Sequence, residues 1–403
     1  MTHIRSRTLV LALSLGFAFA SGLGGAPSAL TAGEANPLPR FLEAIQVGPA
    51  AEFRLAVIHP IYVPALAVPP APADGAAPAA APPGVPALAA SAPQEALGLG
   101  HRAKDGRTSV TVQNLGTEPL WALPGDVLRL ADADYAVRED AVLPAGESAE
   151  LDVVRTSASP ADEKPREEPR WVGSLPGPGM LWTLLSGVRE KGMTAAATDF
   201  AKESGLATPR RSPVELAGAE KIAARVREYR MKLATLPRSP GAGKRELAGI
   251  AVVLDGGFAE VEIFADSKRF AALWPARLEG IAVEAALLEF ENGVLETDLA
   301  EPTDPDRFTA HVKDSILAIY GLDPKPTRVP GLGVVLPLRK DPDLGRAVVH
   351  ETAGPQHLLW VRDPARRRNE TTEDTPFEPG PISRKARPTE AEKRWLDRRR
   401  AGE

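Results

Sequence analysis

Residues 249–264 read GIAVVLDGGFAEVEIF, and this stretch decides the kind of fold to expect. Two apolar-rich runs flank the pair Asp255-Gly256. An Asp-Gly pair between two such runs is a strong indication of a β-hairpin, because both residue types tolerate the positive φ of a tight turn. In the second run Glu260 and Glu262 alternate with apolar residues, the pattern of a strand with one exposed face. We therefore expect an antiparallel hairpin whose two glutamates face solvent.

Helical periodicity surrounds this hairpin. A helix is predicted to begin at Asp266-Ser267 and to place Phe270, Trp274 and Leu278 on one face. Three further helices are predicted from apolar residues at helical spacing. The first has Leu181, Leu184 and Val188 on one face, and the third, from Asp304, has Phe308, Val312, Ile316 and Ile319. The second has Ile222, Val226, Tyr229 and Leu233 on one face, and Ser212-Pro213 before it is predicted to supply the N-cap and first turn. Short strands are expected near residues 334–338, 347–350 and 358–361.

Strands dominate the part of the chain before residue 156. After a short helix over residues 37–45, the predicted strands are Phe53–Ile58, ending at Pro60, then Thr108–Val112, Leu120–Leu123, Tyr135–Arg138 and Ala149–Val154. Strands spaced this closely favour a small sandwich or open barrel. The predicted class is α+β, in one domain over residues 37–362. It has an N-terminal antiparallel β-rich part, residues 51–156, followed by a mixed helix and hairpin part, residues 175–362.

The first 29 residues have the three-part organisation of a secretory signal peptide. Two arginines precede an apolar run from Leu9 to Ala20, and small residues continue to Ala29. The run is shorter than the ~20 residues of a membrane-spanning helix, which favours cleavage over an uncleaved anchor or a buried N-terminal helix. Cleavage after Ala20 or Ala29 would leave a soluble chain without a transmembrane segment. We expect it to be exported across the inner membrane and to be periplasmic or secreted.

Two segments are expected to be disordered. Residues 64–100 carry an insert rich in proline and alanine, which lacks the large side chains that offset the entropy of ordering. Residues 363–403 form a charged tail in which Arg366–Arg368 and Arg398–Arg400 stand among acidic residues. Mixed charge of this kind is typical of a solvated tail, and the alternative is an anionic partner such as envelope polymer, lipid headgroups or nucleic acid.

The composition excludes several classes of site. The chain has 403 residues, 40 prolines and no cysteine, which rules out disulfides, zinc–thiolate sites and thiol catalysis. Its 48 basic and 53 acidic residues give a net charge of −5 and no overall attraction to nucleic acid. No Gly-x-Ser-x-Gly, phosphate loop or His-Glu-x-x-His occurs. The sequence therefore predicts no cofactor and no specific nucleic-acid partner, and leaves an unknown small molecule or envelope partner as the ligand.

Two histidines form the main candidate for acid–base chemistry. His350 and His357 flank Gly354-Pro355 and could face each other across a turn between strands. With Glu351 as the carboxylate they would make an acid–base pair or a metal site. The alternative, which we favour, is that they are two unconnected polar residues at strand ends.

Arg170-Trp171 is the second candidate, directly after a charged loop. A guanidinium beside an indole can stack on or clamp a planar anion. The alternative is an aromatic anchor that packs the loop onto the core.

The order of these features resembles the ARG and rhodanese-phosphatase-superfamily-associated protein domain, a bacterial family without established function. The likeness covers residues 47–362, interrupted by the insert. The features that carry it are the strand from Phe53 to Pro60, the turn at Gly125-Asp126 placed 19 residues before Pro144, the Arg170-Trp171 pair, and the block from Gly249 through Gly256, Phe264, Phe270 and Trp274 to Ala286. The resemblance implies a ligand site around Gly125, Asp126, Arg170 and Trp171.

The chain also departs from that family's pattern. Family members carry a polar Lys-Gln-Asn-Arg-like run where residues 132–135 of this chain read Asp-Ala-Asp-Tyr. They also carry a Cys-Val-Glu run, which has no counterpart here because the chain has no cysteine. Both changes remove polar groups that a site would use. Two hypotheses follow, namely an exported, non-catalytic binding or interaction module, and a hydrolase acting on a phosphate- or ribose-containing substrate.

Overall fold

The helices and strands observed here come from a computed structural model of the chain. It describes residues 38–64, 96–104, 107–117, 120–130, 133–157, 170–188, 190–206, 212–236, 245–265, 267–292, 316, 326–329, 333–340, 343–350 and 354–365. The chain divides into two units, Met1–Asn36 and Pro37–Glu403, and every described residue belongs to the second.

The described residues combine helices with antiparallel sheets, which confirms the α+β class. The helices are α1 (Leu38–Ala44), α2 (Gly177–Leu185), α3 (Glu190–Ser204), α4 (Ala223–Leu233), α5 (Ser267–Asn292) and a 3₁₀ helix (Pro213–Gly218). The strands are β1 (Gln46–Val47), β2 (Ala51–Phe53), β3 (Ala56–Pro64), β4 (Ala96–Lys104), β5 (Arg107–Asn114), β6 (Leu120–Ala122), β7 (Asp126–Arg129), β8 (Asp134–Val137), β9 (Ala141–Leu143), β10 (Ser148–Arg155), β11 (Arg170–Ser174), β12 (Arg245–Leu254), β13 (Gly257–Phe264), β14 (Thr327–Val329), β15 (Gly333–Lys340), β16 (Asp343–His350) and β17 (Gly354–Val361).

The larger described sheet has nine strands, and the predicted hairpin is central to it. Its order is β1-β3-β12-β13-β17-β16-β15-β14, with β2 paired to β3. Asp255 and Gly256 connect β12 to β13 with φ values of 52° and 76°, so the hairpin turn is confirmed. One apolar core lies between this sheet and helices α4 and α5, and a second lies on the opposite face against α1. Both faces of β13 are therefore covered.

The β-rich part forms a second sheet of six described strands, in the order β11-β7-β8-β10-β5-β4. The small β6–β9 pair shares a core with it, through Leu120, Ala122 and Leu143. Side chains of α2 and α3 pack with Val127 and Val154 and with the end of β17. The two sheets thus meet around α2 and β17, and this contact positions the site described below.

Helix α2 is held to α5 by a buried glutamate. Glu284 of α5 accepts a hydrogen bond from the backbone N–H of Gly179 at 2.7 Å, which satisfies one of the free donors at the start of α2. A Cβ at Gly280 would come within 2.8 Å of the backbone nitrogen of Gly177, so only glycine lets the helices approach this closely. The carboxylate also complements the positive end of the helix dipole.

Several predicted boundaries need correction. The predicted strand 53–58 is interrupted by a turn at Arg54-Leu55, where Arg54 has a φ of 53°, and β3 then runs past Pro60 to Pro64. An arginine is held in this left-handed conformation by its ion pair with Glu289 and its position over the Phe53 ring. The sequence around Arg54 could not predict this turn, because the carboxylate of Glu289 that pairs with Arg54 is 235 residues away.

The predicted end of the Pro/Ala insert at residue 100 is also wrong, since β4 begins at Ala96 and pairs with β5. Residues 65–95 lie outside the described residues, as do the tail beyond residue 365 and the predicted signal peptide. The predicted helix from Asp304 lies outside them as well, apart from Ile316, which is helical and buried.

Ser212-Pro213 begins the 3₁₀ helix rather than α4, and Ser212 makes no side-chain cap. Its hydroxyl donates instead to the buried carboxylate of Asp134. The other predicted helix faces fall on α2, α4 and α5, although Val188 lies beyond the end of α2. Within the described part of the chain, the search for a helix long and apolar enough to cross a membrane finds none.

Candidate functional site

His357 lies at the centre of a buried group of charged side chains where the two sheets meet. The six residues of this group are called the polar junction: Asp126, Asp140, Glu262, Arg277, Arg346 and His357. They come from β7, the loop between β8 and β9, β13, α5, β16 and β17. No single segment of the sequence carries more than one of them, so only the fold assembles the group.

Both ring nitrogens of His357 face carboxylates. Nδ1 lies 3.1 Å from Oδ1 of Asp140, and Nε2 lies 3.2 Å from Oε1 of Glu262. The side chain of His357 is 0% exposed. Its ring stacks on Phe264 with centroids 4.7 Å apart and meets the edge of Trp121 at 5.7 Å. The imidazole is therefore fixed in orientation by two acids and two aromatic rings.

Arg277 supplies the main positive charge of the polar junction. Its Nη2 donates to Oε1 of Glu262 at 2.8 Å, and its side chain is 5% exposed. Nε and Nη1 of Arg277 and Oε2 of Glu262 find no hydrogen-bond partner among the described residues. Arg346 reaches Oδ2 of Asp140 at 3.5 Å on the other side of the imidazole. Acids and bases thus alternate through the group.

The Gly125-Asp126 turn borders the same group. Oδ2 of Asp126 accepts from the N–H of Leu123 at 2.9 Å, and Oδ1 accepts from the hydroxyl of Ser174 at 3.3 Å. Gly125 has a φ of 90°, and a Cβ there would lie 3.8 Å from Nη1 of Arg277. The structure therefore brings two residues of the predicted ligand site close to the charged groups around His357.

Burial and charge act in opposite directions on these groups. Burial favours the neutral forms of Asp140 and Glu262, but the cations beside them outweigh it, so each carboxyl has a lowered pKa. Burial likewise disfavours the imidazolium of His357, yet hydrogen bonds to Asp140 and Glu262 raise its pKa above the usual 6.5. The favoured state is an imidazolium between two carboxylates.

Asp126 differs from the other two acids. Burial raises its pKa from 3.8 to about 6, against the opposing effects of the Leu123 N–H and the charge of Arg277. Glu262 adds to the increase because its negative charge disfavours a second anion nearby. Asp126 is thus the carboxyl of the junction that changes protonation nearest neutral pH.

The remaining predicted site residues lie elsewhere. β11 pairs with β7 so that Arg170 is opposite Arg129 and Trp171 is opposite Leu128. Trp171 packs against the core of the β-rich part, which is the anchor that the alternative interpretation described. Ser174, at the end of the same strand, reaches Asp126, whereas the described contacts of Trp171 lie in the core of the β-rich part. The turn at Gly125 and Asp126 is buried, and its role in ligand binding stays a prediction.

The predicted pairing of the two histidines is not what the structure shows. His350 is opposite Gly354 and half-buried, whereas His357 is opposite Val348 and buried. The two histidines are therefore not opposite each other, and His357 contacts two carboxylates instead. Glu351, the carboxylate that the sequence suggested, lies outside the described residues.

The expectation that Glu260 and Glu262 face solvent is also wrong, since they are 2% and 1% exposed. Alternation along β13 indicated a polar face correctly. However, α5 covers that face, and its Arg277 neutralises Glu262. The alternation of polar and apolar residues along a strand is the same whether water or a charged helix covers its polar face. The sequence therefore could not predict that Glu262 belongs to a buried charged group.

A second buried ion pair fixes the 3₁₀ helix to the β-rich sheet. Nε and Nη2 of Arg129 donate to the two carboxylate oxygens of Asp134 at 2.8 and 2.9 Å, and Nη2 also reaches Glu215 at 2.9 Å. The Ser157 hydroxyl accepts from the N–H of Asp134 at 2.8 Å. These charge-assisted hydrogen bonds tie the three elements together, which is typical of a structural cluster.

Within the described ranges, no group of three or more His, Asp or Glu side chains is arranged to hold a metal ion. Comparison of the chain with protein-family models, with curated proteins and with solved structures found no match.

Proposed function

We propose that the chain is an exported, non-catalytic binding or interaction module, and that the polar junction serves to hold its two sheets together. The observation that carries this proposal is the state of His357. Its side chain is 0% exposed, and both ring nitrogens are occupied by Asp140 and Glu262. A general base needs a ring nitrogen that can reach a substrate proton, and both ring nitrogens of His357 are already in contact with carboxylates.

Charge balance supports a structural role. Each of the ionised acids Asp140 and Glu262 is next to at least one cation, as a buried ion network requires. Such networks impose a specific arrangement on the elements that carry them, even where an apolar core would be equally stable. The six residues join the β-rich part to β13, β16, β17 and α5. Two parts of this proposal are supported by the sequence alone: export of the chain, and its resemblance to the bacterial domain family of unestablished function.

The test is an assay of the chain from residue 30 onward, which contains the whole Pro37–Glu403 unit. The substrates are p-nitrophenyl phosphate, bis(p-nitrophenyl) phosphate and a set of nucleotides. We expect the wild-type chain to give no more turnover than a His357→Gln variant that retains native circular dichroism. Turnover that the wild type shows and both Asp126→Ala and His357→Gln abolish would overturn the proposal.

A hydrolase acting on a phosphate- or ribose-containing substrate is the second candidate, and one observation favours it. His357 lies within hydrogen-bond distance of two carboxylates, the geometry in which an acid orients a histidine for proton transfer. This function requires an opening that exposes His357. Measuring hydrogen exchange of the β17 amides with each substrate class distinguishes the candidates, because a substrate that reaches His357 must change protection there.

A further inference from the structure

Helix α4 presents a basic outer surface on an acidic protein. Residues 220–232 contain five basic and two acidic side chains, whereas the whole chain has a net charge of −5. Arg227, Arg230 and Lys232 are exposed. Among the described residues, Arg227 and Lys232 have no ion-pair partner, while Arg230 pairs with Glu279 at 2.7 Å. The outer face therefore carries positive charge that its neighbours do not neutralise.

Each of the two helices also exposes a large apolar side chain beside one of these cations. Met231 is 72% exposed between Arg230 and Lys232, and Phe290 of α5 is 51% exposed. Nζ of Lys221 lies 5.3 Å from the centroid of the Phe290 ring. Apolar side chains accompanied by cations match the boundary between acyl chains and anionic headgroups, where the cations reach the phosphates.

The inner face of α4 is firmly attached to the protein. Val226, Tyr229 and Leu233 are buried, and the Tyr229 hydroxyl donates to Oε2 of Glu289 at 3.2 Å. Arg225 pairs with Glu289 at 3.1 Å, so its charge is used in holding the two helices together. The outer cations are consequently presented on a rigid support, which reduces the entropy lost on binding.

We propose that the outer face of α4, formed by Arg227, Arg230, Met231 and Lys232, docks the protein, together with Lys221 just before the helix, on a membrane surface that contains anionic phospholipid. The chain as a whole has a net charge of −5, so an anionic surface attracts this basic face and repels the acidic parts of the protein. The exposed Met231 and Phe290 favour lipid over a purely ionic polymer, because they gain burial only where acyl chains are accessible. This inference rests on the proposed binding role and names its partner.

The test is co-sedimentation of the chain from residue 30 onward with vesicles of phosphatidylcholine alone, or with 30% phosphatidylglycerol in roughly 50 mM salt, a concentration at which surface charges are weakly screened. We expect binding to the anionic vesicles only. The double variant Arg227→Glu/Lys232→Glu should bind at least about 25-fold more weakly, since each of the two cations near an anionic surface contributes about fivefold. Met231→Ser should bind roughly threefold more weakly, because it loses apolar burial.

The matched control is Arg339→Glu/Lys340→Glu, which makes the same change of charge at two exposed cations of β15. This variant should bind as the wild type does. Equal weakening by both double variants, no effect of either, or equal binding to neutral and anionic vesicles would each overturn the inference. Those outcomes test lipid binding alone. The non-catalytic role is tested separately by the turnover assay with phosphate esters and nucleotides.

Discussion

Nε2 of His357 lies 3.2 Å from Oε1 of Glu262, although 95 residues separate them in the sequence. The two side chains stand on the neighbouring strands β17 and β13 of the nine-stranded sheet. The opposite ring nitrogen reaches Asp140, 217 residues away in the β-rich part. One imidazole thus connects the two parts of the domain, and its carboxylate partners are as buried as it is.

The first prediction concerns the energetic coupling of this pair. His357→Gln should lower the free energy of unfolding by about 3–5 kcal/mol, because it removes the buried cation that Asp140 and Glu262 share. A double-mutant cycle with Glu262→Gln should give a coupling energy of about 1–3 kcal/mol, measured by urea denaturation. His350→Gln is the control, and its coupling with Glu262→Gln should be near zero. Additive effects of His357→Gln and Glu262→Gln would show that the contact does not contribute.

The second prediction concerns acidic pH and Asp126. Its pKa is 3.8 in the unfolded reference and about 6 in the folded protein, so the folded state binds more protons between these values. The contribution of Asp126 to the free energy of unfolding should therefore fall by about 3 kcal/mol as the pH rises from below 4 to above 6, opposite in sign to the contributions of Asp140 and Glu262, whose pKa values are lowered. Asp126→Asn stays neutral and should lack this decrease in urea denaturation at pH 4–7.

Glu139→Gln is the control for that experiment, because Glu139 is exposed beside the same group. Its pH profile should follow that of the wild type. If Asp126→Asn also follows the wild-type profile, Asp126 does not carry the raised pKa.

The third prediction concerns the opposite end of the pH range. The folded pKa of His357 is raised above 6.5, so its stabilising contribution is complete below pH 6.5 and is lost as the pH rises through the folded value. The stability difference between the wild type and His357→Gln should therefore decrease with rising pH above 6.5. His59, which is also buried, has a lowered pKa, so the wild-type advantage over a His59→Gln variant should instead increase as the pH rises toward 6.5. A wild-type advantage over His357→Gln that grows above pH 6.5 would contradict this assignment.

The fourth prediction concerns the turn beside Arg277. Gly125→Ala should destabilise the protein by about 2–4 kcal/mol. A residue with a Cβ is strained at φ 90°, and the added methyl would overlap Cδ2 of Leu181. Gly146→Ala is the control, since Gly146 has a φ of 72° but nothing within 4 Å of the added atom. It should cost only about 1 kcal/mol, the strain alone. Equal thermal stabilities of the two variants would show that the contact with Leu181 is unimportant.

Local features of the fold could be predicted because their causes are local. The turn at Asp255-Gly256 needs only its own backbone preferences, and the face of α4 needs only the spacing of Val226, Tyr229 and Leu233. The antiparallel strands of the β-rich part follow from the same alternation. Each of these features is specified within a dozen residues.

The polar junction could not be predicted because its members are distant in the sequence. The pattern around Glu262 is the same whether α5 or water covers that face of β13. Nothing near His357 points to Asp140, and nothing near Arg54 points to the Glu289 carboxylate that holds its left-handed conformation. Of the predicted ligand-site residues, Gly125 and Asp126 lie at the junction while Trp171 packs in the core of the β-rich part, and their role in ligand binding stays a prediction.

His357 is sealed inside a structural core, and its reaction with diethyl pyrocarbonate measures whether reagent in solution reaches the imidazole. Modified sites are mapped by mass spectrometry on the folded chain from residue 30 onward. We predict that His357 stays unmodified, as buried His59 does, while half-buried His350 reacts, and that all three react after denaturation. Modification of His357 in the folded protein at the rate of His350 would contradict the account.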